Sequence, residues 1–261
     1  MAFAPLIIMN PFDIKSAFIT GLSYITYVWI IFLFLFFGIG IATDALLFSL
    51  KLFTHTAQKF SRKIFLMIVS FITIIIISGI YEADNIIIEK LTIETSKLPP
   101  GRDSIRIVQI SDVHFSQILG LSHAQIIINI IKELKPDILL STGDFLDKGI
   151  RNEKEITALF RNLQVPLGKY ASTGNHEFFA GIRNSEKFIA EAGFTLLRNE
   201  GVTVNKILNI TAIDDHTGTR FGEILPREIE AFKTDQQDRF TIHMQHQPRI
   251  DNKAHERFEL P

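Results

Sequence analysis

Cysteine is absent from the 261 residues of this chain. That excludes structural disulfides, thiolate zinc sites and cysteine nucleophiles together. An excess of one charge is also missing. The 27 basic and 28 acidic side chains leave a formal net charge of −1. Nucleic-acid binding needs a basic face, so no nucleic-acid partner is expected. Tryptophan occurs once, whereas phenylalanine occurs 23 times and hydrophobic residues make up 47%. A chain so apolar is not disordered.

Charge is scarcest at the start. Residues 1–81 hold only Asp13, Lys15, Asp44, Lys51, Lys59, Arg62 and Lys63. Residues 22–42, LSYITYVWIIFLFLFFGIGIA, contain none. At about 1.5 Å per residue, such a helix crosses the ~30 Å hydrocarbon layer. Tyr24, Tyr27 and Trp29 lie toward one end, as interfacial rings do. Residues 64–80, IFLMIVSFITIIIISGI, form a second uncharged run at the short limit of a span. The alternative for either run is a buried core segment. Neither resembles a cleaved signal peptide, because no short basic start precedes them. The expected order is an N-terminal segment over 1–21, transmembrane helices over 22–42 and 64–81 joined by a basic loop over 43–63, then a water-soluble domain over 85–261. The loop's Lys51, Lys59, Arg62 and Lys63 place it in the cytoplasm by the positive-inside rule, which puts the soluble domain outside. The chain reads as a multi-pass protein of the plasma or inner membrane, with the bilayer as a partner. Residues 1–11 look like the tail of a further apolar segment, so additional upstream spans are expected.

The soluble part alternates strand and helix signals. Two short strands are expected within 86–95, then strands over 105–110, 138–142, 169–173, 195–198, 208–213 and 240–245. Helices are expected over 122–134 with Ser122 as N-cap, over 153–163, over 184–192 before Gly193, and over 226–233. The class is α/β, a layered β-sandwich flanked by helices and preceded by a transmembrane helical hairpin.

Four segments that follow strands carry chemistry. They are Ser111-Asp112-Val113-His114, Gly143-Asp144-Phe145-Leu146-Asp147, Gly174-Asn175-His176-Glu177 and His246-Gln247-Pro248. Singly, each has an ordinary reading as a turn, a helix cap or a core histidine. Together they set carboxylate, amide and imidazole donors at successive strand ends, which a sheet gathers on one edge. Such donors suit zinc, iron or manganese.

These motifs resemble those of the calcineurin-like metallophosphoesterases, which run Asp-x-His, Gly-Asp, Gly-Asn-His-Glu, His, Gly-His-x-His. The nearest branch is similar to membrane-anchored phosphodiesterases, including those acting on UDP-diacylglucosamine. The resemblance implies two divalent ions and hydrolysis of a phosphodiester or pyrophosphate, including a lipid-linked one. It implies that Asp112 and His114 ligate the first metal, that Asp144 bridges both, and that Asn175 and His246 ligate the second. His176 would face the substrate and stabilise or protonate the leaving oxygen. Glu177 and Asp147 are expected to support these ligands rather than bind metal. His243 competes with His246, but Pro248 completes the family's His-x-Pro turn. Asp214 and Asp215 fall where the family has an acidic turn, while His55, His123, His216 and His255 match nothing.

No Gly-His dipeptide follows His246. The resemblance therefore implies a chain that ends short of the last motif, with about three protein ligands per ion. Two readings follow: a metal-dependent phosphoesterase, or a catalytically impaired membrane-anchored fragment that acts by binding or assembly. A purely structural domain with chance motifs is a third.

Overall fold

The computed structural model describes residues 17–54, 62–83, 85–116, 118–222 and 238–247. The chain divides into two compact units, Met1–Thr92 and Ile93–Pro261. The first contains α1 (Ala17–Thr54) and α2 (Arg62–Ala83), both long and apolar enough to cross a membrane. Their large apolar side chains face outward: Phe34 is 79% and Met67 70% exposed. Three threonine hydroxyls that would be costly in lipid are satisfied within the helices. Thr26, Thr43 and Thr73 donate to the carbonyls of Leu22, Ile39 and Val69 at 2.7–2.8 Å. Phe36 of α1 meets Phe65 of α2 edge-on at 5.9 Å.

The first helix is longer than its expected end at residue 42. It runs on through Thr54, so Asp44 and Lys51 lie on helix rather than in a loop. Nothing between Gly40 and Thr54 breaks it, since that stretch has neither glycine nor proline. Lys59 and the segment 1–16 lie outside the described residues.

The strand pair expected after the helices is missing. Residues 85–106 contain no strand, and Ile87 and Leu91 are 82% and 85% exposed. An extended stretch without a neighbour has only water for its backbone groups. From there the order is β1 (Ile107–Ile110), α3 (Leu121–Leu134), β2 (Ile138–Thr142), α4 (Glu153–Arg161), β3 (Lys169–Ser172), α5 (Asn175–Ala180), α6 (Ile182–Glu191), β4 (Thr195–Leu196), β5 (Glu200–Val204), β6 (Leu208–Ala212), a 3-10 turn (His216–Phe221) and β7 (Thr241–Met244). Ser122 is not the N-cap of α3; Gly120 is, and no side chain caps that end. Lys135 ends the helix in the left-handed region (φ 48°), just before Pro136. The short α5 has no counterpart among the expected helices. The helix expected over 226–233 lies outside the described residues.

Strands β1 to β4 form a parallel sheet in chain order, and β5, β6 and β7 form a mixed one. β5 and β6 are joined by a tight turn in which Asn205 (φ 44°) and Lys206 (φ 60°) are both left-handed, the conformation that matches strand twist. β2 is buried along its whole length, and its residues alternate between two cores. Leu139 joins Ile128, Ile131, Phe160 and Phe188 on the helical side. Ile138 and Leu140 join Leu208, Ile210 and Met244 between the two sheets. That alternation makes the domain a sandwich with helices on one outer face.

Buried charge is satisfied locally. Lys169 donates from Nζ to the carbonyls of Phe160 and Arg161 at the end of α4, and of Ala192 at the end of α6. Burial lowers its pKa, and the carbonyls receive a cation where helix ends favour one. The α6 terminus is a Schellman motif: Gly193 (φ 80°) donates to Ala190 and Phe194 to Ile189.

On β7, His243 lies 3.0 Å from the hydroxyl of Thr211, and burial pushes its imidazole from 6.5 down to about 4. The unfolded chain therefore takes up this proton first as pH falls. The stability tied to neutral His243 is fully present above about pH 6.5 and is lost as pH drops toward about 4. Replacing His243 with Gln should flatten the fall in Tm across that window, measured by circular dichroism in detergent. An unchanged slope would contradict the assignment.

Candidate metal centre

The parallel ladder of β1 and β2 does not stop at the strand ends. Asp112 and His114 donate their backbone N–H to the carbonyls of Gly143 and Asp144 (3.2 and 3.0 Å), and Phe115 donates to Phe145 (3.0 Å). Side chains along this extension divide by face. Val113, Phe115, Phe145 and Leu146 enter the helical core, where Phe115, Phe145 and Phe160 meet at centroid distances of 5.2–5.8 Å. Asp112, His114, Asp144 and Asp147 are left on the other side, above an aromatic floor. Asp112, His114 and Asp144 all have left-handed backbones (φ 54°, 50° and 51°), which non-glycine residues adopt only under constraint.

At Asp144 the constraint comes from Glu177. Its fully buried carboxylate accepts the N–H groups of Asp144 and Gly174 on Oε2 and that of Phe145 on Oε1, at 2.7–2.9 Å. Part of this is ordinary helix capping, with the N3 glutamate of α5 reaching back to the residue before the helix. The rest clamps the loop after β2 to the loop after β3. Burial pushes the Glu177 pKa up, and the three N–H groups oppose the shift. The two loops come so close that a Cβ on Gly174 would lie 2.5 Å from the Asp144 nitrogen, and one on Gly143 2.6 Å from the Gly174 nitrogen.

The donors converge above this clamp. His114 Nε2 lies 3.9 Å from Asp112 Oδ1 and 3.6 Å from Asp144 Oδ2. His246, just past β7, lies with Nε2 3.3 Å from the same Asp144 Oδ2. Its Nδ1 is 3.0 Å from the Thr142 carbonyl, which can only accept, so that nitrogen carries a proton and Nε2 is the one an ion would take in exchange for its own proton. The other Asp144 oxygen takes the His176 N–H at 2.8 Å. Burial opposes ionisation of Asp144, but His246 and this N–H outweigh it and hold its pKa below 3.8. The Asp144 carboxylate in turn raises His246 to about 9.

Asp147 stands between two histidines. It hydrogen-bonds His176 Nδ1, and its other oxygen is 3.3 Å from His114 Nδ1. That last pair lacks hydrogen-bond geometry, and His114 Nδ1 is buried with no other bond. The rings of His114 and His176 meet edge-on at 4.5 Å. Two groups of donors lie within 4.8 Å of one another: Asp112, His114 and Asp144, and His114, Asp147 and His176. Oxygen and imidazole donors at these separations fit a zinc, manganese or iron ion, for which ligand bonds are roughly 2.0–2.2 Å.

Asn175 is the first residue of α5, half-buried beside the centre. The other candidates lie elsewhere. His243 is turned to Thr211 on β6. Asp214 is buried, accepts from Thr173, Asn199 and Arg198, and holds β6 to β3. Asp215 accepts from the Thr217 N–H and starts the 3-10 turn. His123 lies on α3 and His216 on the 3-10 turn, while His55 and His255 fall outside the described residues.

The sequence pattern of calcineurin-like phosphoesterases matches residues 105–260. The chain belongs to this family. It is 37% identical over 168 residues to an uncharacterized metallophosphoesterase of Aquifex aeolicus, covering 64% of each chain. It is 29% identical over 110 residues to a transmembrane protein with metallophosphoesterase domain from Danio rerio, covering 42% of this chain and 24% of that one. A third relative is the UDP-2,3-diacylglucosamine pyrophosphatase LpxG of Chlamydia muridarum, 35% identical over 75 residues and covering 28% and 23%. The chain thus spans less than two thirds of the length of these curated relatives. No solved structure matches it. The family match takes in all four loops of the centre, and the phosphoesterase domain holds its donors through residues that do not themselves face the donor cluster.

Glu177→Gln tests that last point. A glutamine would set its amide N–H against one of the three backbone N–H groups, at a cost of roughly 1–3 kcal/mol. Tm and manganese affinity, read by calorimetry, should fall together. Wild-type values for both would show that the clamp is not needed.

Proposed function

We propose that this phosphoesterase domain hydrolyses a phosphodiester or a pyrophosphate, lipid-linked substrates included, with two divalent ions. The observation that carries the reading is Asp144 Oδ2, which His114 Nε2 and His246 Nε2 face at 3.6 and 3.3 Å. One carboxylate oxygen shared by donors from two loops is what a bridging ligand requires. Asp112, His114 and Asp144 would hold one ion; Asp144, Asn175 and His246 would hold the other. Bound divalent ions supply neutralisation of the phosphoryl oxygens and a more acidic water. His176, with Nδ1 fixed on Asp147, keeps Nε2 for exchanging a proton with the leaving oxygen. Asp147 orients His176, borders His114 and is a positioning residue.

Membrane attachment supports a lipid-linked substrate, because tethering beside the bilayer raises local concentration. The name of the Chlamydia relative, a pyrophosphatase of UDP-2,3-diacylglucosamine, points the same way. In this reading α1 and α2 cross the bilayer, with Lys51, Arg62 and Lys63 on the cytoplasmic side. The domain then lies outside the cytoplasm.

Asp144→Asn should reduce turnover of bis(4-nitrophenyl) phosphate by roughly two orders of magnitude or more and lower bound manganese, since an amide offsets no cation charge. Wild-type rate and metal content in that variant would remove the assignment. The topology has its own check. A C-terminal alkaline phosphatase fusion should be active and a C-terminal fluorescent protein dark; the reverse pattern would put the domain in the cytoplasm.

A further inference from the structure

Beside the donor cluster lies an open pocket of about 260 Å³, lined by Asn175, Phe179, His216, Thr217, Arg220 and Gln247. It shares a wall with the centre: Asn175 precedes His176, Gln247 follows His246, and the His176 ring meets Phe179 edge-on at 5.5 Å. None of its described lining residues is acidic. Its ionisable groups are Arg220 and His216, both exposed, and Asn175, Thr217 and Gln247 add neutral polar groups. The nearest carboxylate on the same turn, Asp215, is only 4% exposed and accepts the Thr217 N–H.

The wall that carries Arg220 is held in place. Phe221 stacks on Phe178 at 6.4 Å and meets Phe179 edge-on at 5.9 Å, so the 3-10 turn is pinned to α5. Thr219 donates to the His216 carbonyl at 2.8 Å. Behind them, Thr173 joins Asp214 and Asp215 to the end of β3. A guanidinium on such a turn, with no partner among the described residues, suits a phosphate group, which it meets with paired N–H donors.

We propose that this pocket is the subsite for a second phosphate of the substrate, so that the domain prefers pyrophosphate diesters to simple phosphodiesters. The inference rests on the phosphoesterase reading above and adds the substrate class. In the reaction, the oxygen of water joins one phosphorus and the bond from that phosphorus to the bridging oxygen breaks. The second phosphate leaves with the bridging oxygen, giving two monoesters, and the surplus proton goes to solvent. Arg220 would hold the departing phosphate, and Phe179 would shield the side nearest His176.

Titration calorimetry on the full chain in detergent, loaded with manganese, separates the two claims. The probes are a methylene-bridged pyrophosphate diester and a phosphonate analogue of a simple diester. Arg220→Gln should weaken the bridged analogue by roughly tenfold or more and the phosphonate by less than about twofold. Lys187→Gln, on the exposed side of α6, should change neither. No binding of the bridged analogue, or equal effects of Arg220→Gln on both probes, overturns the subsite. Hydrolysis of bis(4-nitrophenyl) phosphate is followed in parallel. If hydrolysis is absent while Arg220 still discriminates between the analogues, the subsite stands and the hydrolase reading fails. If hydrolysis persists without discrimination, the hydrolase reading stands and the subsite fails.

Discussion

A carboxylate that faces no substrate holds the centre together. Glu177 lies entirely inside the domain and accepts three backbone N–H groups drawn from two loops. Burial disfavours its charge, yet the three donors have no other acceptor, so neither side can be removed alone. The left-handed backbone at Asp144 and the glycine-only approach of residues 143 and 174 are tolerable because this clamp fixes them. With the clamp in place, Asp144 offers one oxygen to the His176 N–H and turns the other toward two histidines.

The same division of labour runs through the domain. Each segment that brings a donor also brings an anchor. Asp112 and His114 alternate with Val113 and Phe115, and Asp144 is followed by Phe145 and Leu146. The aromatic cluster beneath fixes the backbone, and the polar face is left for chemistry. Buried and half-buried cations are satisfied in a similar way. Lys169 is directed to helix-end carbonyls, and Arg198 joins Asp214 and Glu186 at 2.7 and 2.8 Å. Neither competes for the carboxylates of the centre.

Much of this is legible from residue order. Strand signals at 105–110, 138–142 and 169–173 each end in a motif, and parallel strands in chain order must present those ends on one edge. Asp112, His114 and Asp144 therefore come together as their positions imply, His246 joins them from the second sheet, and His243 is set apart by strand alternation. What stays hidden depends on tertiary neighbours. The apolar run after residue 85 has strand-like composition, but no partner among the described residues pairs with it. α5 is too short for a periodic signal, and its marker is a glutamate three residues after Gly174. Asp147 reads as support in the sequence, yet only the folded domain reveals that it spans two imidazoles. The charge pattern understates the extent of α1, because a charge marks where a span leaves lipid, not where a helix ends.

The bond between Thr142 and His246 joins residues 104 positions apart. Contacts of such separation are late to form, since chain entropy must be overcome before they contribute. The last imidazole can arrive only after the second sheet has closed on the first, because β7 is placed by its parallel pairing with β6. An ion that needs this histidine recognises the finished domain and not its precursors. Cation concentration would then act as a quality control on folding: a bound ion adds stability to the completed form that half-built molecules do not receive.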